Sequence, residues 1–327
     1  MKAIQLNRET EQKIELVERE LAKPGLCHCI IKVKAAALNR RDQWMREGLY
    51  PGLKDGIIIG SDGCGIVEEG PDEWVGKRVI FNPNIDWGDN PEVQSAAYHI
   101  LGMPTDGTLA EYALICSNKL ALAPEHLTDE EAAALPLGGL TAYRACITKG
   151  QITKDSKVLI TGIGGGVSQF ALQIATTLGA EVWVTSGSDD KIERAKEAGA
   201  AGGFNYKQEN WAKAAIPSGP FDVIIDSAGG ESLNSYLKLV KPGGKIVMYG
   251  STLGRTPQLD TARLFWSQVQ IIGSSMGNDN EFKAVVDFYD QHQLHPVIDQ
   301  VFQLDDYLRA FDRFKAPDHY GKIVITF

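Results

Sequence analysis

Lys157-Val158-Leu159-Ile160-Thr161-Gly162-Ile163-Gly164-Gly165-Gly166-Val167-Ser168 opens a stretch, running on to Tyr206, whose reading decides the fold. A short buried strand ends in a glycine-rich turn. A helix with Phe170, Ala171, Ile174 and Leu178 on one face follows, and then a second strand, Val182-Trp183-Val184-Thr185. Strand, glycine turn, helix and strand in that order make a dinucleotide-binding βαβ unit. Gly162, Gly164, Gly165 and Gly166 let the backbone approach a pyrophosphate, and Val167 carries the next helix N–H toward it. A strict GxGxxG is absent, because the sixth residue from Gly162 is Val167; the looser frame is Gly162, Gly165, Ser168.

The second strand ends in Ser186-Gly187-Ser188. An NAD site wants an acid there for the ribose hydroxyls. Its absence implies a cofactor with a 2′-phosphate, so NADPH is expected over NADH. Gly187 permits close approach, Ser188 can donate, and Lys191 can pair with a phosphate. Ser188 can equally cap the next helix and Lys191 can be solvated. Asp189 and Asp190 would repel a phosphate if they faced it.

Outward from this unit, Phe221–Asp226 and Lys245–Tyr249 are further parallel-sheet strands, with an amphipathic helix between them over 231–240. Alternating α and β elements mean a doubly wound parallel sheet. Residues 1–122 differ, being strand-rich, with 13–18 and 29–34 alternating as half-buried strands. Residues 82–108 form a long irregular loop. The last segment returns to the first texture, with strands at 301–304 and 322–325 around a helix. The expected architecture is α/β, with a nucleotide-binding domain over 123–270 inserted in a β domain built from 1–122 and 271–327.

A chain of 327 residues fits two domains. The net charge of −9 argues against nucleic acid or an anionic membrane as the main partner. No run of eighteen apolar residues could span a bilayer, and the first residues carry no signal-peptide pattern. Five scattered cysteines are expected to be reduced thiols of a cytoplasmic protein. Cys27-His28-Cys29 is expected to be structural, since strand alternation turns His28 away from the two cysteines and no second ligand pair follows at zinc-site spacing.

The chain resembles the medium-chain dehydrogenase/reductase superfamily along nearly its whole length. The matching stretches are 39–51 (Asn39 to Pro51), Gly60-Ser61-Asp62-Gly63-Cys64-Gly65, Gly107-Thr108-Leu109-Ala110-Glu111-Tyr112, 135–143 and Gly321-Lys322-Ile323-Val324. Its zinc-independent quinone oxidoreductase-like members are the nearest likeness. That resemblance implies a GroES-like β domain carrying a Rossmann domain, and a homodimer with the segment Thr256 to Ile272 near the interface. It also implies that Gly187, Lys191 and Tyr206 hold the 2′-phosphate. Thr141, Gly250-Ser251, Ser274, Met276, Gly277 and Lys322 would lie toward the nicotinamide end. Tyr206 and Lys322 have plain alternatives, a loop aromatic and an exposed strand lysine.

Superfamily members that hold catalytic zinc do so through cysteine, histidine and a third cysteine or acid. The matching positions here are Asn39, Ser61 and Leu137, with Asp62 in place of the glutamate that often follows the histidine. These make a poor zinc set or none. The 82–103 loop lacks the four cysteines of a structural zinc lobe. No metal is therefore expected. What remains is hydride transfer to an activated acceptor, a quinone or an α,β-unsaturated carbonyl. Tyr50 matches the proton-donating tyrosine of related enoyl reductases, or it only packs beside Pro51. Asn39 can hold a carbonyl or the nicotinamide ribose. Trp44 shapes a pocket wall, Arg46 borders the pocket or is solvated, and Ser61 bonds substrate or is structural. A 2-enoyl thioester reductase and a non-catalytic NADPH-binding protein are the competing readings.

Overall fold

The computed structural model describes residues 1–255 and 258–327, which fall into two compact units, Met1–Leu140 with Gly277–Phe327, and Thr141–Met276. Residues 123–140, grouped with the nucleotide domain by sequence texture, pack in the first unit. The helix Asp129–Ala134 there lies against the strands His28–Ala37 and Asp62–Glu69.

The first unit is organised by the strand His28–Ala37, ten residues that alternate buried and more open positions as far as Lys34 and then bury Ala35, Ala36 and Ala37. Asp62–Glu69, Tyr112–Cys116 and the C-terminal strand Lys322–Thr326 all pair with it antiparallel. The chain's last strand thus lies beside His28–Ala37, with Val324 opposite Ala37. The core beneath holds Ile31, Val33, Met45, Phe81 and Phe311. Asn39 follows the central strand and leads into the helix Arg40–Glu47. The Asp42 carboxylate reaches back to accept the Asn39 N–H at 2.7 Å. Gly48, left-handed at φ 78°, ends the helix. The sequence places this short helix directly at the end of the central strand, which is what positions the site below.

The 82–108 segment has structure of its own. Asn84–Ile85 pairs antiparallel with His99–Ile100. Asn82, Asn84 and Lys119 all donate to one oxygen of Asp279, at 2.6, 3.2 and 2.6 Å. Those bonds anchor the segment to the last part of the same unit.

The second unit is a six-stranded parallel sheet: β1 (Lys157–Ile160), β2 (Glu181–Ser186), β3 (Gly202–Asn205), β4 (Phe221–Asp226), β5 (Val240–Met248) and β6 (Gln270–Gly273). The spatial order is 3-2-1-4-5-6, the order of a dinucleotide-binding sheet, with its switch point between β1 and β4. Its strands are apolar runs because both faces are covered. Val158, Leu159 and Ile160 are fully buried, as are Ile224, Ile225, Ile246 and Val247. The GroES-like and Rossmann-like parts expected from the sequence are both present.

Candidate active site

In the second unit, β1 ends at Ile160 and the turn that follows is closed by its own residues. Gly162 adopts φ +64°, which a side chain would strain. Its N–H donates to the Thr185 hydroxyl at 3.2 Å. The Ser168 hydroxyl is buried under the turn and donates to the carbonyls of Gly162 and Gly165, at 2.8 and 2.7 Å. This explains the loose motif: where a third glycine would let helix and strand approach, serine ties them together. Gly165 is the N-cap of the helix Gly166–Thr177. The first-turn N–H groups at Gly166, Val167 and Ser168 have no intrahelical acceptor and carry the positive end of the helix dipole. That arrangement suits a pyrophosphate.

At the end of β2, a Cβ on Gly187 would lie 2.9 Å from the Tyr206 hydroxyl and 2.9 Å from Cε of Lys207. The turn after β3 therefore folds back over Gly187, helped by the Tyr206 N–H to Ser186 carbonyl bond at 2.9 Å. Lys207 was not singled out by the sequence reading. The signal available was a basic residue next to the tyrosine. Ser188 stands at the N-cap of the helix Asp189–Glu197, yet its hydroxyl makes no capping bond. Asp189 is turned to Asn205, whose amide donates to it at 3.0 Å. Lys191, half-buried in the first turn of that helix, and the exposed Lys207 both belong to segments at this end of the sheet.

Beyond the switch point, Asp226 ends β4 and organises the neighbouring turns. It accepts from the Thr161 hydroxyl at 2.6 Å and from the N–H groups of Ala228 and Gly229 at 3.1 and 2.8 Å. This acid also escaped the sequence reading, although an acid at the carboxyl end of a parallel strand is a visible cue. Gly250 packs on Ser227, where a Cβ would meet its carbonyl at 2.9 Å. Ser251 is committed to the Gly254 carbonyl at 2.8 Å. Ser274 follows β6, and its buried hydroxyl has no partner among the described residues. The Thr141 hydroxyl meets the Met276 sulfur at 3.8 Å, and Gly277 begins the second segment of the other unit. The glycine cradle, the open helix terminus and the orphaned Ser274 hydroxyl together fit a nicotinamide dinucleotide.

In the first unit, the positions matched to zinc ligands hold a different device. Lys322 is 3% exposed. Its Nζ donates to Asn39 Oδ1 at 2.7 Å and to Asp62 Oδ2 at 2.9 Å. Asn39 Nδ2 donates to the same Asp62 oxygen at 2.9 Å, and the Leu137 N–H donates to the other at 2.7 Å. Asp62 therefore has both oxygens occupied, and an ammonium nitrogen sits among the groups that would have to ligate a metal. Leu137 contributes backbone only. Asn39, Ser61, Asp62 and Leu137 do not fit a catalytic zinc, since thiolate and imidazole donors are missing and the one carboxylate is neutralised. Lys322 has a third N–H with no acceptor among the described residues. It is thus neither an exposed strand lysine nor a residue set apart from Asn39.

Arg41 organises the neighbouring polar groups and was missed entirely. Its Nη1 donates to the Ser61 hydroxyl and to the Leu101 carbonyl, at 2.5 and 2.7 Å, and its Nε and Nη2 lie 3.3 and 3.2 Å from the Tyr50 hydroxyl. Ser61 in turn donates to Leu101, so both its hydrogen-bonding directions are filled within the core. Tyr50 is half-buried with its hydroxyl held by the guanidinium. Arg46 lies elsewhere: it donates to Asp312 at 2.7 Å and to Gln12, and is neither solvated nor turned toward the Asn39 cluster. Trp44 is half-buried on the same helix. Burial pushes the Asp42 carboxyl up to about 6, against the pull of Arg41 and the Asn39 N–H. Its Oδ1 has no partner among the described residues.

The cysteine expectations are corrected. Cys27 and Cys116 form a disulfide, and the free thiols are the buried Cys29, Cys64 and Cys146. The argument for a reducing compartment falls with that bridge. Among the described residues no helix is long and apolar enough to cross a membrane. Cys27, His28 and Cys116 are also the one group among the described residues whose donor atoms lie close enough to share a metal ion, within 4.8 Å of one another. Strand alternation failed here because Cys27 lies in the turn before the strand, and because Cys116 comes from 89 residues away. An expectation of no metal anywhere in the chain therefore cannot rest on local spacing. This group lies at the opposite end of His28–Ala37 from Asn39. Ten residues at about 3.3 Å each separate the two ends by roughly 30 Å. An ion at His28 could not polarise a group at Asn39.

Residues 25–125 match the family model of the alcohol dehydrogenase GroES-like domain, and 166–291 match that of the zinc-binding dehydrogenases. The chain is 37% identical to a zinc-type alcohol dehydrogenase-like protein, YogA, of Leptosphaeria maculans, over 92% of this chain and 91% of that one. It is 33% identical to another from Schizosaccharomyces pombe, over 90% of each. Acryloyl-coenzyme A reductase of Sulfurisphaera tokodaii is 28% identical over 96% of this chain and 97% of its own. The crystal structure of an NAD-dependent alcohol dehydrogenase superimposes with a TM-score of 0.94 at 32% identity, covering both chains completely.

Proposed function

The chain belongs to the medium-chain dehydrogenase/reductase superfamily as a zinc-type alcohol dehydrogenase-like oxidoreductase, and from that premise we propose that it is an NADPH-dependent reductase of quinones or α,β-unsaturated carbonyl compounds, working without catalytic zinc. The observation that carries this reading is the Lys322–Asp62–Asn39 cluster, which ties up Asn39, one of the positions matched to a zinc ligand, and Asp62 beside Ser61, another. A fixed ammonium with a spare N–H orients and weakly polarises an oxygen, and it lacks the Lewis acidity that turns an alcohol into an alkoxide at neutral pH. Conjugated acceptors need less polarisation, because hydride addition places the charge on an enolate or hydroquinone oxygen.

Bound NADPH supplies the hydride. Gly162 and the N-terminus of Gly166–Thr177 hold the pyrophosphate. Gly187, Ser188, Lys191, Tyr206 and Lys207 hold the 2′-phosphate, two cations being a reason to prefer NADPH. Thr141, Gly250, Ser251, Ser274, Met276 and Gly277 serve the nicotinamide end. Asn39 and Lys322 orient the carbonyl oxygen or the ribose. Tyr50, its hydroxyl held by Arg41, delivers the proton that completes reduction. The likeness to acryloyl-coenzyme A reductase favours a conjugated thioester as the second reading of the acceptor, since that too is an alkene activated by a carbonyl. The protein works as a homodimer, its partner meeting the surface of the second unit where Phe265 and Trp266 are 69% and 81% exposed. Thr256, at the start of the segment expected there, lies outside the described residues. Large apolar side chains exposed side by side mark an interaction surface.

The test follows reduced-nicotinamide absorbance with NADPH and NADH against a quinone, a short enone and a short enoyl thioester, and alcohol oxidation with NADP⁺. The expected result is NADPH consumption with a conjugated acceptor, unchanged by chelator. Chelator-sensitive alcohol oxidation overturns the reading. NADPH binding with no turnover on any acceptor replaces it with a cofactor-binding protein.

A further inference from the structure

The Cys27–Cys116 bridge has a histidine beside it that neither the fold nor the proposed reaction uses. His28 is the direct cross-strand partner of Cys116, so their side chains share one face of the sheet. Cys27 precedes the strand in a turn, with its sulfur 3.9 Å from His28 Nδ1. The Gly25 N–H donates to that same nitrogen at 3.1 Å. Nδ1 thus faces the two sulfurs as an acceptor, and it is the atom the imidazole would offer to an ion. Cys27 is exposed, and His28 and Cys116 are half-buried, so a solvent-borne ion and a reductant both have access.

We propose that Cys27, Cys116 and His28 form a zinc site when the bridge is reduced, and that bridge and bound ion exclude each other. A dithiol opens the bridge by exchange: one of its thiolates attacks a bridge sulfur, and its second thiol then releases the mixed disulfide. Two electrons pass to the protein sulfurs and the reductant leaves as its own disulfide. The two protein thiols bind Zn²⁺ as thiolates, with release of two protons, and Nδ1 of His28 replaces its Gly25 hydrogen bond with the ion. Two sulfurs and one nitrogen, with water in the fourth position, make an open tetrahedral zinc set. Reoxidation by a disulfide reverses the sequence and expels the ion. The site lies roughly 30 Å along the strand from Asn39, so it is independent of the reductase proposal and is no catalytic zinc.

The remaining thiols make the experiment clean. Cys29, Cys64 and Cys146 are buried, and burial pushes Cys64 and Cys146 up to about 12, so they resist alkylation in the folded chain. Folded protein is treated with dithiothreitol, cleared of it anaerobically, and titrated with zinc chloride beside the oxidised protein. Reduction should raise the alkylatable thiols of the folded chain by two, the pair from the bridge. The reduced chain should bind one equivalent of zinc at least ~100-fold more tightly than the oxidised chain. Cobalt in its place should give a thiolate-to-metal charge-transfer band. His28→Ala, which leaves the bridge intact, should weaken zinc roughly tenfold or more without changing the thiol count. Equal zinc binding by the two redox forms overturns the proposal. So does a tight equivalent that survives in Cys27→Ser, since that ion would sit elsewhere in the chain.

Discussion

The glycine turn after β1 and the Lys322 cluster are both candidate parts of one reaction, yet they are built on opposite principles. The turn is local and made of backbone. Seven consecutive residues, 162–168, supply its flexibility, its N–H donors and the Ser168 hydroxyl that closes it. The cluster is made of groups from four separate places: Asn39 just after His28–Ala37, Asp62 at the start of Asp62–Glu69, the Leu137 backbone and the last strand of the chain. The difference predicts where each will fail. A turn tolerates loss of one hydrogen bond, because water can reach half-buried N–H groups. A buried ammonium and carboxylate cannot lose each other without leaving a charge in a dry environment.

The sharpest way to break this contrast is to remove Lys322. Lys322→Met should strand Asp62, which is fully buried, and cost about 3–5 kcal/mol in denaturant unfolding. Joining it with Asp62→Asn should restore much of that loss, since the stranded charge is gone while an amide oxygen remains to accept the Leu137 N–H. If the single variant unfolds like the wild type, the cluster is wet and the contrast fails.

The next effect is in pH dependence, and it belongs to the same corner. Asp42 titrates near 6 in the folded chain, above the ~4 of an unfolded aspartate. The folded state therefore holds this proton more tightly. The stability it contributes is fully present below about pH 4 and is lost as pH rises through 6. At ~1.4 kcal/mol per unit, the swing is roughly 3 kcal/mol. Acids with lowered pKa, such as Asp222 and Asp299, work in the opposite sense, so total stability does not isolate the term. The difference between wild type and Asp42→Asn does: it should change between pH 4 and 6 and be flat above. A difference flat across that window removes Asp42 from the buried acids.

Much of the second unit was legible because parallel strands, turn and helix each write a contiguous signature. Val158–Ile160, the glycines and the 170–178 face fix three elements and their order. The first unit was legible in outline only. That Asn39 is paired to residue 322 depends on the last strand lying beside His28–Ala37, and no local pattern encodes that register. Arg41 was passed over for Arg46 because both are charges on one short helix. Only tertiary packing turns Arg41 to Ser61 and Tyr50, and Arg46 to Asp312. Cys27 and Cys116 escaped for the same reason.

A smaller effect separates chemistry from scaffolding at Tyr50. Tyr50→Phe keeps the ring under the Arg41 guanidinium, whose carbon lies 4.8 Å from the ring centroid, and removes only the hydroxyl. As a proton donor it should lower kcat about 100-fold with NADPH binding unchanged. A change below about twofold would assign Tyr50 to packing and send the proton to solvent.

The smallest effect tests the other end of the cofactor site, where the 2′-phosphate is expected. Lys207 is exposed, so its loss should leave folding untouched, within about 0.5 kcal/mol. Its ammonium nevertheless belongs to the side chain that closes over Gly187. Lys207→Ala should raise the KM for NADPH about tenfold, the worth of one charge-assisted contact of about 1.4 kcal/mol, and leave that for NADH where it was. Lys191→Ala should act in the same sense, and the two together should bring the cofactors close to parity. Equal losses for both cofactors would mean that the lysines support the helix rather than the phosphate. No loss for either would return Ser186-Gly187-Ser188 to the status of a tight turn that merely lacks an acid.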